Sequence, residues 1–173
     1  MTRLAVILTV LATMAGVSRA NILVNPGFET EIGATDWSIH WGTFSRENWN
    51  KPPEGKFAGF IKGDWAGDDR GGVIQALAAS PETQYTLTAK FYCDNGWQAQ
   101  TQVLKLEFFD GDGNLLKTFS TDLAKLAEQK WTEKKVFGVS PAGTAKAQVV
   151  FEATGVGKAG LLGVDGFDLE TTK

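Results

Sequence analysis

The chain of 173 residues has one cysteine, one histidine and no excess of positive charge, 17 Lys and Arg standing against 20 Asp and Glu. Each shortage removes a class of explanation. Cys93 alone closes no intramolecular disulfide and offers no paired thiolates to zinc. In the strand-like run 91–93 it reads as a small buried hydrophobe, with no histidine or second cysteine nearby in sequence to activate it. His40 is the sole imidazole and no serine sits in a GxSxG turn, so a Ser-His-Asp or Cys-His centre would rest on that one residue. The acidic balance argues against nucleic acid or anionic membrane as a partner. No apolar run reaches the roughly 20 residues that a membrane-spanning helix needs, so membrane insertion is not expected.

The longest apolar run lies in residues 1–20, where Arg3 precedes an apolar stretch from about Leu4 to Gly16 and small residues follow at Ser18 and Ala20. That is the pattern of a secretory signal peptide, bacterial in its short basic start and small-residue cleavage site. Residues 21–173 are then expected to form a soluble, secreted, monomeric protein of one domain, in a periplasm or outside the cell. Cleavage removes Arg3 and Arg19, so 17 − 2 = 15 basic residues face 20 acidic ones, a net charge of −5.

What the sequence does hold is short apolar alternation broken by Gly, Pro, Asn and Asp. Tyr85, Leu87, Ala89, Phe91 and Cys93 share one face of a strand, and Thr86, Thr88, Lys90 and Tyr92 the other. The same alternation sets Leu104, Leu106 and Phe108 against Lys105 and Glu107, and Ala145, Ala147, Val149 and Phe151 against Lys146, Gln148 and Glu152. Further strands are predicted over 58–62, 73–77, 115–120, 131–139 and 163–169. Only 121–130 has a helical stripe, with Thr121 or Asp122 as cap and Leu123, Leu126 and Ala127 along one side. The chain is therefore predicted to be all-β, a two-sheet antiparallel sandwich of jelly-roll type with one short helix in a crossover. The strand order within 37–53 is not readable from the pattern.

Two motifs fail on context. Residues 155–160 spell GxGxxG, but a strand rather than a helix follows, so no helix N-terminus faces a pyrophosphate. Residues 110–114 open like a calcium-binding EF-hand loop, yet Leu115 and Thr121 stand where the bend glycine and the bidentate glutamate belong, and a hairpin turn is expected instead. Carboxylates are plentiful, but glycoside hydrolysis needs two of them facing across a cleft that a chain this short leaves little sequence to build. No enzymatic activity is expected.

Residues 25–29, Asn-Pro-Gly-Phe-Glu, followed by Trp37 and by Val164-Asp165 in a terminal strand, resemble the jelly-roll carbohydrate-binding modules of families four and nine and the wider galactose-binding-like superfamily. Residues 72–75, 80–87, 104–110 and 141–145, with Trp131, fall in the family's order. The match spans nearly all of 21–173, although Gly166 follows Asp165 where the family often has a second aspartate, and Glu82 follows Pro81 where it usually has Gly. The resemblance implies a non-catalytic protein that binds a poly- or oligosaccharide. It also implies a structural calcium held by Glu29 and Asp165 with backbone carbonyls, and core positions for Trp37 and Trp131. From the residues alone, Glu29 also reads as a surface carboxylate after a turn and Asp165 as a hydrogen-bonded strand end. Trp65 and Trp97, in polar glycine-containing loops, are candidate sugar platforms, with Tyr92, Gln98 and Gln100 beside the second. Either tryptophan reads equally as a ring folded back over a sheet edge. The alternative reading is an adhesive or structural exoprotein using the same fold for protein or matrix contacts without tight sugar binding.

Overall fold

A computed structural model describes residues 20–33, 36–42, 44–63 and 69–172. The leader expected over 1–20 lies outside them except for Ala20, as does Trp65. Ten strands form two five-stranded sheets: β1 (Ser38–Gly42), β2 (Phe44–Glu47), β3 (Ala58–Lys62), β4 (Arg70–Ala78), β5 (Gln84–Cys93), β6 (Thr101–Phe109), β7 (Leu115–Asp122), β8 (Thr132–Val139), β9 (Lys146–Thr154) and β10 (Leu161–Thr172). The first sheet runs β1-β4-β9-β6-β7 and the second β2-β3-β10-β5-β8. Every strand pair is antiparallel, so the architecture is the antiparallel sandwich that the alternation predicts.

The core forms as the period of two requires. Leu87, Ala89 and Phe91 of β5 face Leu104, Leu106 and Phe108 of β6 and Ala147, Val149 and Phe151 of β9, all buried. Each large side chain withdrawn in this way contributes roughly 1.5–3 kcal/mol. Cys93 is buried and unpaired, and burial pushes its thiol up, which leaves it inert. The Asp110–Asn114 segment is the hairpin turn between β6 and β7: Asp110 Oδ1 accepts the Asp112 and Asn114 amides at 3.0 and 2.8 Å.

The helix expected over 121–130 does not form. Thr121 and Asp122 finish β7, and Asp122 Oδ1 accepts the Ala124 amide at 2.7 Å, which turns the chain. Leu123 then plugs the core, its amide donating to Gln102 O, and Gln129 N donates to Cys93 O. A side-chain bond to the backbone, a buried leucine and tertiary backbone bonds outweigh a weak local stripe.

Candidate functional site

Two places on this frame gather chemistry. The first is where the chain's opening turn meets the last strand. Asn25 and Phe28 have φ of 49° and 57°, and Phe28 is held in this left-handed conformation by a fully buried ring packed on Trp37, Phe44 and Phe167. The turn presents Glu29, whose carboxylate accepts the amides of Lys56 and Phe57 at 3.0 Å. Arg46 ties the same turn down, donating to Phe28 O and Glu29 O at 2.5 and 2.7 Å with its guanidinium 3.4 Å from the centre of the Phe57 ring.

Opposite lies Asp165, with 0% of its surface exposed. A bulge in β10 between Asp165 and Asp168 places it there, and Gly166 supplies the φ of 56° that the bulge takes. The glycine that departs from the family pattern is thus the residue that shapes this turn. Asp165 Oδ2 accepts Glu54 N at 3.1 Å and Oδ1 accepts Gly166 N at 2.8 Å. Burial pushes its carboxyl up to about 7, against the two backbone hydrogen bonds, and the charges of Glu54 and Glu29 push the same way as burial. Lys90 pairs with Glu54 at 2.7 Å, while Asp165 and Glu29 are held by backbone amides; the hard oxygens of this acidic cluster suit calcium. Among the described residues no group of three Asp, Glu, His or Cys side chains stands in metal-holding geometry, so backbone carbonyls would have to complete a shell.

The second place is the outer face of the β1-β4-β9-β6-β7 sheet. Register aligns Trp41, Gly72, Glu152, Val103 and Asp122 in one row across all five strands. At a spacing of about 4.8 Å, four gaps make a track roughly 19 Å long. Over β9, β6 and β7 the track sinks into a groove of about 410 Å³, with Val103, Glu152, Lys105, Ser120, Asp122 and Gln100 among its walls. Its polar groups are of several kinds: Lys105 Nζ meets Glu152 Oε1 at 2.5 Å, the Thr101 hydroxyl lies 2.6 Å from that of Thr154 beside the groove, and Gln100 is exposed. At the β1 end the rings of Trp41 and His40 are in contact, 3.6 Å between centroids, with Arg70 6.0 Å from the Trp41 ring.

The residues expected to carry a ligand are not brought together. Trp97 is 8% exposed and belongs to the core. Its indole N–H donates to Gln102 Oε1 at 2.5 Å, and Gln102 Nε2 donates to Leu123 O at 2.9 Å. This polar chain lets the indole sit inside, so Trp97 is not an exposed platform. Tyr92 is 8% exposed on the outer face of the other sheet, its ring 5.5 Å from Trp131, and burial raises its hydroxyl. Trp131 also lies on that outer face, half-buried and donating to Asn50 O, rather than in the core, where Trp37 is fully buried. Gln100 lines the groove. Trp41, Lys105, Glu152 and Asp122 escaped the sequence reading. Lys105 and Glu152 do stand out as polar positions on alternating strands, but only the pairing of β6 with β9 brings them together.

No family model and no curated protein matches the sequence. Solved structures do match its shape. The enzymatically active domain of bacteriophage CBA120 tailspike protein 4 superposes with a TM-score of 0.68 at 14% identity, over 88% of this chain and 21% of that one. A family 16 carbohydrate-binding module gives 0.63 at 21% identity, over 86% and 99%. A family 61 module in complex with β-1,4-galactotriose gives 0.59 at 14%, over 88% and 99%. The chain thus spans about a fifth of the tailspike domain and nearly the whole of each module. The fold is that of the β-sandwich carbohydrate-binding modules, and the tailspike domain shows the same fold within an enzymatically active protein.

Proposed function

We propose that the protein is a secreted, monomeric, non-catalytic carbohydrate-binding protein that holds a poly- or oligosaccharide chain in the groove across the β1-β4-β9-β6-β7 sheet. The groove carries this reading: an open track long enough for several sugar rings, with an apolar floor at Val103 and amide, hydroxyl and charged walls, matches what a polyhydroxylated chain recognises. Gln100, which is exposed, and Trp41, at the end of the row, are the contacts outside the groove's charged centre. The likeness of the fold to β-sandwich carbohydrate-binding modules supports the reading, and the leader-like residues 1–20 support secretion.

A structural calcium belongs to the same reading. Glu29 and Asp165 would hold it, with backbone carbonyls completing the shell. The ion would neutralise the buried charge of Asp165 and stabilise the folded form by binding it alone. A structural or adhesive role is the second reading, favoured by Phe137 and Val139, which are more than half exposed on the edge strand β8.

The test is native gel mobility of the protein in gels containing β-galactan, xylan, mannan or β-glucan, with Gln100→Ala and Trp41→Ala alongside. Retardation by one glycan, weakened in both variants, is the expected outcome. No retardation by any glycan would leave the adhesive reading in its place.

A further inference from the structure

Glu152 is unusual for its position. It lies on a sheet's outer face, where carboxylates normally stand in water, yet it is 7% exposed in the central strand β9. Among the described residues the one side-chain partner of its carboxylate is Lys105, which engages Oε1, and no protein group donates to Oε2. A carboxylate with this little water around it and half its acceptor capacity unused is ready for hydroxyl donors. The ammonium beside it keeps two N–H donors for hydroxyl oxygens. Together they complement two adjacent hydroxyls on one ring, one donating to Glu152 and one accepting from Lys105. The neighbouring strand contributes Gly72, so the row next to Glu152 carries no side chain before Trp41.

Charge then decides which sugars fit. The groove holds one cation, Lys105, already tied to a carboxylate, and two anions, Glu152 and Asp122. A uronate placed here would set its carboxylate against a buried like charge, with the one ammonium already paired. Resting on the sugar-binding reading above, we infer that the Lys105–Glu152 pair is the specificity-determining element of the groove, selecting a vicinal diol of an uncharged sugar and excluding polyuronates.

The experiment repeats the gel series with polygalacturonate as the anionic probe beside the neutral glycans, using the whole chain, Glu152→Gln and Lys105→Met. The wild type should be retarded by a neutral glycan and not by polygalacturonate. Glu152→Gln should lose roughly tenfold to a hundredfold of its affinity for the neutral glycan. It should also gain retardation by polygalacturonate, because Lys105 is freed from its partner; a misfolded variant would not gain a ligand. Lys105→Met should lose neutral binding and gain nothing. Neutral binding unchanged in Glu152→Gln, or a wild type that prefers polygalacturonate, overturns the inference and leaves the sugar-binding reading standing. A wild type retarded by no glycan of either charge overturns that reading and the inference with it.

Discussion

Replacing Asp165 by Asn isolates the energetics of the buried carboxylate between the opening turn and the last strand. Burial raises its folded-state value from 3.8 to about 7, so the folded protein holds the proton more tightly than the unfolded chain does. The favourable contribution is complete below pH 3.8, is lost as pH rises towards 7, and stays lost above it. That rise from 3.8 to about 7 makes ionised Asp165 a cost of about 4 kcal/mol in the metal-free protein. For a domain of this size that corresponds to roughly 10 °C in melting temperature. Thermal melts in chelator from pH 4 to 8 should show the wild type losing that margin relative to Asp165→Asn. With excess calcium at pH 7.5 the order should invert, the wild type becoming the more stable. A difference between the two proteins that stays flat across this range in chelator, or grows in favour of the wild type as pH rises, refutes the account.

Trp97→Phe keeps a buried ring but removes the N–H that satisfies Gln102; denaturant melts should show a loss of about 1–3 kcal/mol, and glycan retardation should be unchanged. Gly160 has φ of 76°, and a Cβ there would come within 2.6 Å of the Trp97 backbone nitrogen. Gly160→Ala should therefore lose at least about 1–3 kcal/mol from conformation alone, read from the same melts. The Cys93 thiol should resist a disulfide reagent in the native protein and react once denaturant opens the core; rapid native labelling would contradict its burial.

Strands with strict alternation were legible because one wet face and one dry face leave a period of two. β5, β6 and β9 are such strands. β1 and β2 were not, since a register shift between Ile39 and Trp41 breaks the alternation and Gly42 turns the chain at φ 63°. The segment after Asp122 misled for the opposite reason: its apolar spacing is helical, but Leu123 is recruited by Gln102 from another strand. The same glutamine explains Trp97, whose polar neighbours suggest a surface loop while its own N–H finds a buried acceptor five residues on. Glu29 after its turn and Asp165 near the chain's end were singled out in the sequence only through a resemblance, since their approach depends on the bulge in β10. The groove could not be read, because it exists only where β9 lies between β4 and β6, and no local pattern encodes that neighbour order.

The strand order also carries a temporal consequence. Among the described strands, only β2–β3 and β6–β7 are sequence-adjacent and paired; every other neighbour is reached by crossing between sheets. The middle strand of each sheet is one of the last two in the chain, β9 and β10. Until residues 146–172 have been synthesised, neither sheet can close around its centre, and the earlier strands have no partner to bridge them. Such non-local pairing places folding in the millisecond-to-second range after synthesis of that segment rather than during it. Loss of β10 alone would remove the strand that joins β3 to β5 and divide one sheet into the pairs β2–β3 and β5–β8.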